Sequence, residues 1–158
     1  MKYKPSFGMK TEVISGDKKY GDRKLETFNP LFPRGSYFGL ASLIGPADLV
    51  DVHPSIAMSL IQKLDVSYDH DIFWKQSVND GIYGPNVSLL YSGKDAPSRR
   101  IGGQYSGSLI HTPNSFLYFR AEFTWFRANV FFKGIVQRPR HYFHRGHHSV
   151  EILESLNR

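Results

Sequence analysis

Basic side chains at polar positions of alternating segments are the residues of this sequence best suited to chemistry. Lys10, Lys75 and Arg120 each fall on the polar side of a segment whose residues alternate in polarity, and Arg34 and Arg100 belong to charged segments rich in glycine and proline. Such charges can bind carboxylates, and arginine does so with the better bidentate geometry. The pattern predicts contact with an anionic solute, but the same charges could instead pair with acidic residues on neighbouring strands.

Acidic residues on one of these segments raise the question of catalysis. Asp65, Asp69 and Asp71 share one side of an alternating segment. Carboxylates two residues apart on a strand lie about 7 Å apart, which falls within the range used by inverting glycosidases. Nothing in the sequence marks a pocket that would raise the pKa of one of them, and we predict that the chain is not an enzyme.

Four histidines near the end of the sequence, His141, His144, His147 and His148, have spacings that could hold a metal on a helix. Pro139 and Gly146 would break that helix, so no metal site is predicted. Zero cysteines exclude thiolate ligands, disulfides and a cysteine nucleophile. The sequence has no glycine-rich phosphate loop and no HExxH motif, and we expect no cofactor.

These residues must be positioned by strands, because the polarity of the sequence alternates with a period of two. The clearest example is residues 64–75, where Leu64, Val66 and Ile72 alternate with aspartates. Five strands are predicted in this way: residues 7–13, 55–61, 64–75, 101–111 and 117–125. With 15% aromatic residues, 14 glycines and 9 prolines, the composition also favours strands over helices. The predicted fold is an all-β antiparallel meander.

The connections between the predicted strands differ in length. Residues 62–63 and 112–114 form short turns, whereas residues 15–49 and 77–99 form long loops. Antiparallel neighbours reverse direction, so the short turns and the long loops lie at opposite ends of the sheet. This asymmetry is typical of an outer-membrane β-barrel with its apolar side against lipid. A soluble antiparallel sandwich that buries the apolar side in a core remains open.

Charge and composition set further limits on function. The 158 residues carry a formal net charge of +6, dispersed along the chain without a basic helix or arginine block. This charge is compatible with nucleic acid, an anionic membrane surface or an acidic polymer as partner. No apolar run reaches the roughly 18 residues of a membrane helix, which excludes a helical membrane protein. Residues 1–5 are basic with no apolar run behind them, so no signal peptide is predicted.

One loop carries an unusual motif, FNPLFPRG at residues 28–35. It is followed in order by YFG at 37–39, FWKQS at 73–77, DGIY at 80–83, IGGQ at 101–104 and FTWFRA at 123–128. With these motifs the sequence resembles the alginate export family of outer-membrane proteins over about residues 5–133.

The resemblance implies a barrel of roughly 18 strands whose lumen conducts an anionic polysaccharide such as alginate across the outer membrane. It implies a location in the outer membrane for the full-length parent and contact with its lipid. No nucleic-acid partner is expected, because the basic residues lie mostly in loops and the tail and not on the aromatic-rich faces. The pore-lining residues would be the five basic residues Lys10, Arg34, Lys75, Arg100 and Arg120. The loop containing residues 28–35 is expected to fold over the lumen as a constriction.

Two departures from the family pattern concern domain organisation. Five strands are too few to close a membrane barrel, which needs about eight, so we expect residues 1–133 to form a partial barrel completed by strands from another chain. Residues 134–158 are expected to be an irregular basic tail without the closing strand. The alternative is a soluble β-sandwich that binds carbohydrate or single-stranded nucleic acid through its aromatic residues.

Overall fold

The computed structural model describes residues 4–19, 21–32, 36–39, 41–94 and 98–129, and every structural statement below refers to these residues. They form only strands and irregular connections, so none of them belongs to a helix that could cross a membrane. The strands are β1 Ser6–Ile14, β2 Leu49–Ile61, β3 Leu64–Trp74, β4 Ile82–Tyr83, β5 Leu89–Tyr91, β6 Arg100–Asn114 and β7 Leu117–Ala128.

Five of the strands form one antiparallel sheet in the order β1-β2-β3-β6-β7. The two short strands β4 and β5 form a separate hairpin within the connection between β3 and β6. The long strands therefore follow one another as a meander, and β1 and β7 lie at the two edges of the sheet. The predicted all-β antiparallel fold is confirmed.

Short turns lie at one end of this sheet and long connections at the other, as predicted. The turn after β2 is held against β6, because Thr112 N donates to Lys63 O at 2.9 Å and Lys63 Nζ donates to Pro113 O at 2.5 Å. At the opposite end, residues 15–48 join β1 to β2 and residues 75–99 join β3 to β6.

Prolines account for the main differences between predicted and observed strands. β2 begins at Leu49 rather than at residue 55, so that Pro54 lies inside it, and β6 continues through Pro113 to Asn114. Proline usually ends a strand because it lacks an N–H group for the ladder. Here the β2–β3 pairing skips Pro54 and the β6–β7 pairing skips Pro113, so both strands continue past the gap. The turn after β6 consists of residues 115–116 instead of 112–114.

One side of the sheet, the apolar face, carries almost only apolar and aromatic side chains, and many are exposed. Phe7 is 79% exposed, Phe123 60% and Trp125 44%. Tyr105 stacks between His70, at 4.3 Å, and Trp125, at 5.4 Å, in a row across three strands. The register also places these side chains on this face: Met9, Val13, Val52, Ile56, Met58, Val66, Tyr68, Ile72, Trp74, Leu109 and Phe119.

The opposite side, the polar face, becomes apolar only where the long connections cover it. Phe73 is fully buried there, with its ring 5.1 Å from that of Phe38 and 6.3 Å from that of Phe126. Strand ends and connections together supply the core: Phe38, Ile44, Leu49, Phe73, Ile82 and Ile101. The main hydrophobic core is therefore built between the loops and one end of the sheet.

Within the first long connection, the part that covers the polar face includes Phe38 and Ile44. In the segment expected to constrict the lumen, residues 28–35, Leu31 is 91% exposed and Phe32 is 92% exposed, and residues 33–35 fall outside the described residues. The backbone of Phe28 is anchored beside the end of β1 by a 3.0 Å hydrogen bond from its N–H to Ser15 O.

The two long connections touch through their backbones at Gly45. Its N–H donates to Tyr83 O at 2.9 Å, and a Cβ atom at Gly45 would lie 1.9 Å from Gly84 O. No side chain fits in that space without displacing the backbone, so only glycine allows the first connection to pack against the β4–β5 hairpin.

Replacing Gly45 with alanine should therefore destabilise the loop core. We expect Gly45→Ala to lower the free energy of unfolding by about 1–3 kcal/mol, the usual effect of overpacking. Denaturant unfolding of the chain in detergent, followed by circular dichroism, measures this. Gly107→Ala is the matched control, because a Cβ there meets only Ser67 O at 3.9 Å. Equal stability of the two variants would contradict the close contact.

Candidate functional site

An ionic cluster lies on the polar face of β1, β2 and β3. The register places Lys10 opposite His53 and Glu12 opposite Asp51. Because side chains two residues apart point to the same face, residues from three strands meet at one site. The cluster consists of Lys10, Glu12, Asp51, His53, Asp69 and Asp71.

His53 links two acids of β3. Its Nε2 lies 3.0 Å from Asp69 Oδ1, in hydrogen-bond geometry, and its Nδ1 lies 2.8 Å from Asp71 Oδ1. The two acids differ in accessibility, since the Asp69 side chain is 30% exposed and that of Asp71 is 2% exposed. One edge of the imidazole therefore meets a partly solvated carboxylate, and the other edge meets a buried one.

Gln104 on β6 connects the cluster to the first long connection. Its buried amide Nε2 lies 2.5 Å from Phe38 O, 3.2 Å from Asp71 Oδ2 and 3.3 Å from Ser106 Oγ. The amide can donate to a loop carbonyl and to a carboxylate of the cluster from the same nitrogen. It therefore holds the loop directly above the acidic residues.

Tyr37 and Phe38 cover the β1 side of the cluster. Tyr37 Oη donates to Glu12 Oε1 at 2.8 Å, and this hydrogen bond raises the pKa of the tyrosine, as does its partial burial. Lys10 Nζ lies 3.1 Å from Glu12 Oε1 and 5.1 Å from the centroid of the Tyr37 ring. The first connection thus contacts both an acid and a base of the sheet.

The five basic residues predicted to line a pore occupy different environments. The Lys10 side chain is 49% exposed, and that of Arg120 is 42% exposed and pairs with Glu122 on the same strand. Arg100 is exposed at the first position of β6. The structure brings Lys10 into the ionic cluster, and Arg120 lies towards the short-turn end of β7. Arg34 falls outside the described residues.

Lys75 has a different environment from the other predicted residues because it is only 1% exposed. Its Nζ donates to Val78 O at 3.0 Å and to Asp80 O at 3.1 Å. Burial lowers the pKa of this ammonium, while Asp48 and Asp80 raise it. Its described contacts hold the second long connection at the end of β3.

Asp80 joins the two long connections. Its Oδ2 accepts hydrogen bonds from Asp17 N at 2.7 Å and Thr27 Oγ1 at 2.5 Å, both in the first connection. Its Oδ1 accepts from Gly81 N and Tyr83 Oη at 2.6 and 2.7 Å. Burial would raise the pKa of this carboxyl, but the four hydrogen bonds outweigh burial and lower it.

Asp48 is a second buried acid between the connections. Its backbone is left-handed, with φ of 47°. Its Oδ1 accepts from Ser77 N at 2.6 Å. Burial, together with the charge of Asp80, raises its pKa to about 7, although the Ser77 hydrogen bond and the charge of Lys75 act to lower it. A Cβ on Gly16 would lie 1.9 Å from this carboxylate oxygen, so glycine is needed beside it.

Sequence reasoning did not find Asp51, His53, Gln104 or the two loop acids. Asp51 and His53 are two residues apart, which is the spacing of side chains on one face of a strand. Because proline usually ends a strand, the sequence predicts that this strand begins only after Pro54. Extending the alternation of β2 back through Pro54 would have placed both residues on the polar side.

A family model described as alginate export matches residues 1–134. No curated protein and no solved structure matches the chain.

The raised pKa of Asp48 predicts how stability depends on pH. Between about pH 4 and pH 7 the folded chain holds this proton and the unfolded chain does not. The contribution of Asp48 is therefore greatest below pH 4 and is lost as the pH rises towards 7, with a slope of at most ~1.4 kcal/mol per pH unit. Asp48→Asn should make the stability fall less between pH 5 and pH 7.5.

Denaturant unfolding in detergent at several pH values measures this difference. Asp22→Asn is the control, because Asp22 is exposed in the same connection and accepts a local hydrogen bond from Lys24 N at 2.9 Å. Its profile should follow that of the parent chain. Parallel profiles for the parent and Asp48→Asn would show that the Asp48 carboxyl is already ionised at pH 5.

Proposed function

Because this chain belongs to the alginate export family, we propose that its sheet forms part of the wall of a channel that passes an anionic polysaccharide, such as alginate. Proteins of this family are outer-membrane β-barrels that act in transport and not in catalysis. At the family level, this supports an outer-membrane location and passage of polysaccharide. The proposal for this chain adds the solute class and the residues that guide it.

The observation that carries the proposal is the contrast between the two faces of the sheet. Residues such as Phe7, Phe123 and Trp125 are exposed on the apolar face, while the polar face carries both signs of charge. A membrane barrel has this pattern, with apolar side chains outward to lipid and polar side chains inward to water. A soluble sandwich would instead cover the apolar face with a second sheet.

The edges of the sheet indicate how a wall would be completed. The outer edges of β1 and β7 carry backbone groups that pair with no other strand among the described residues. In lipid, such groups must be satisfied by further strands, since water is absent. We propose that strands from outside the described sheet, in the same or another chain, pair with both edges.

Basic residues at different heights of the sheet provide a path for carboxylates. Lys10 lies in the ionic cluster, Arg120 lies towards the short turns, and Arg100 lies at the end with the long connections. Lys10 and Arg120 already have acidic partners, Glu12 and Glu122. Exposed ion pairs are weak, so a carboxylate of the solute could replace the partner and later leave.

Arg34 and Lys75 have other parts in this proposal. Arg34 belongs to the motif at residues 28–35 and is proposed on that ground alone to contact the solute. Lys75 would act indirectly, because its ammonium donates to the Val78 and Asp80 carbonyls of the second connection. The solute path therefore depends mainly on Lys10, Arg100 and Arg120.

The two tryptophans of the chain, Trp74 and Trp125, test which way the apolar face points. If this face meets lipid, brominated detergent should quench most of their fluorescence, whereas acrylamide in water should quench little. Steady-state fluorescence of the chain in detergent measures both effects.

A matched variant moves one indole to the other face. Trp125→Phe combined with Thr124→Trp places the indole on the polar face, and Trp74→Phe removes the second emitter. Acrylamide should then quench strongly and brominated detergent weakly. If brominated detergent leaves the parent chain unquenched, the apolar face is packed in a protein core and the soluble sandwich is correct.

Charge reversal tests the solute path. Arg120→Glu or Lys10→Glu should weaken binding of a labelled oligouronate by about two- to fivefold, the effect expected of an exposed ion pair. Glu122→Gln should strengthen it, because it releases Arg120 from its acidic partner. Fluorescence anisotropy at low salt measures these affinities.

The control is Arg127→Glu, which makes the same charge change at an exposed position on the apolar face of β7. Its effect should be smaller than that of Arg120→Glu. Equal effects of the two variants would mean that only net charge matters, and would remove Arg120 from the path.

A further inference from the structure

Three residues of the ionic cluster form a compact set of potential metal ligands. One ligand atom from each of Asp51, His53 and Asp71 lies within 4.8 Å of the other two. Asp51 and Asp71 are both buried, so this is not a surface group of acids. The three residues come from adjacent strands and point to the same face of the sheet.

The hydrogen bonds of these residues are incomplete. Both carboxylate oxygens of Asp51 are buried without a hydrogen-bond partner among the described residues. His53 Nδ1 and Asp71 Oδ1 are also buried and, although 2.8 Å apart, they lack hydrogen-bond geometry. Glu12, opposite Asp51 on β1, adds another unpartnered buried oxygen, Oε2. Buried oxygens in this state are unfavourable unless a proton or a cation is bound to them.

Neighbouring side chains orient the ligand atoms. Asp69 Oδ1 lies 3.0 Å from His53 Nε2, and if that nitrogen carries the proton, the lone pair of Nδ1 is left for a metal. Gln104 donates to Asp71 Oδ2 at 3.2 Å and leaves Oδ1 available on the side of His53. A metal-binding histidine commonly has this arrangement, with its second nitrogen bonded to a carboxylate.

We propose that Asp51, His53 Nδ1 and Asp71 Oδ1 bind a divalent transition-metal ion of the zinc class. An imidazole ligand favours such an ion over calcium or magnesium, which prefer oxygen alone. Two carboxylates balance the charge of the ion, and a water molecule would complete a four-coordinate site.

Bond lengths of about 2.0–2.2 Å require the ligand atoms to approach within roughly 4 Å of one another. Asp51 is the ligand that can move, because its carboxylate makes no hydrogen bond with any described residue that would have to break. The site would cross-link β2 to β3, and Gln104 would extend this link to the loop carbonyl of Phe38. This role is structural and does not depend on the identity of any transported solute.

Equilibrium dialysis against zinc, with metal content measured by atomic absorption, tests the proposal on the full chain. The four histidines His141, His144, His147 and His148 are first replaced by glutamine, because they could bind zinc themselves. This background chain should retain about one zinc ion. Asp51→Asn and His53→Ala should each reduce the affinity at least tenfold, and Asp69→Asn should reduce it about tenfold through the orientation of His53.

His70→Gln is the matched control, because His70 is on the apolar face of β3, stacked on Tyr105. It should leave zinc binding unchanged. Calcium at the same concentration should not displace the zinc. Calcium that competes equally would overturn the assignment of an imidazole-bound ion.

A folding measurement separates loss of the site from loss of structure. Without metal, Asp51→Asn should unfold at the same denaturant concentration as the background chain or a higher one, since it removes a buried carboxylate without a partner. Zinc should raise the unfolding midpoint of the background chain and not that of the variant. The proposal is wrong if the background chain binds less than about a tenth of a zinc ion per chain. In that case protons, and not a metal ion, would neutralise the buried acids. It is equally wrong if the folded Asp51→Asn variant binds zinc as tightly as its parent.

Discussion

The register shared by five antiparallel strands decides where every functional side chain of the sheet lies. A shift of one residue would exchange the two faces, sending Asp71 to the apolar side and Ile72 to the polar side. The turn at residues 62–63 helps to prevent this, because Lys63 is bonded to the end of β6 through both its carbonyl and its ammonium. The position of the ionic cluster and that of the exposed apolar face therefore both depend on the strand register.

Buried polar groups then fix the long connections against one end of this sheet. Asp80 gathers hydrogen bonds from both connections, and Asp48 bonds the start of β2 to the segment after β3. Gln104 adds a link from the sheet to the first connection. Apolar packing around Phe73 stabilises the contact between the connections and the sheet, while these hydrogen bonds select one arrangement of the connections.

Local alternation predicted the strands well because it needs only neighbouring residues, and residues 64–75 correspond closely to the observed β3. Local alternation did not predict burial or side-chain contacts that depend on residues distant in the sequence. Lys75 follows the alternation but lies one residue beyond the end of β3, and no local pattern indicates that a connection buries its side chain. The ionic cluster joins Glu12 to Asp51 and Asp71, and only the strand pairing shows that they meet.

The attachment of the first connection has an electrical consequence for the proposed channel. Phe38 is packed on Phe73 and bonded through its carbonyl to Gln104, while Gly45 is bonded to the hairpin of the second connection. A segment held at several points has little freedom to swing into and out of the ion path. If the first connection lines the proposed channel, current through a single channel should stay at a steady level with little flicker, because these attachments keep that connection from acting as a moving gate.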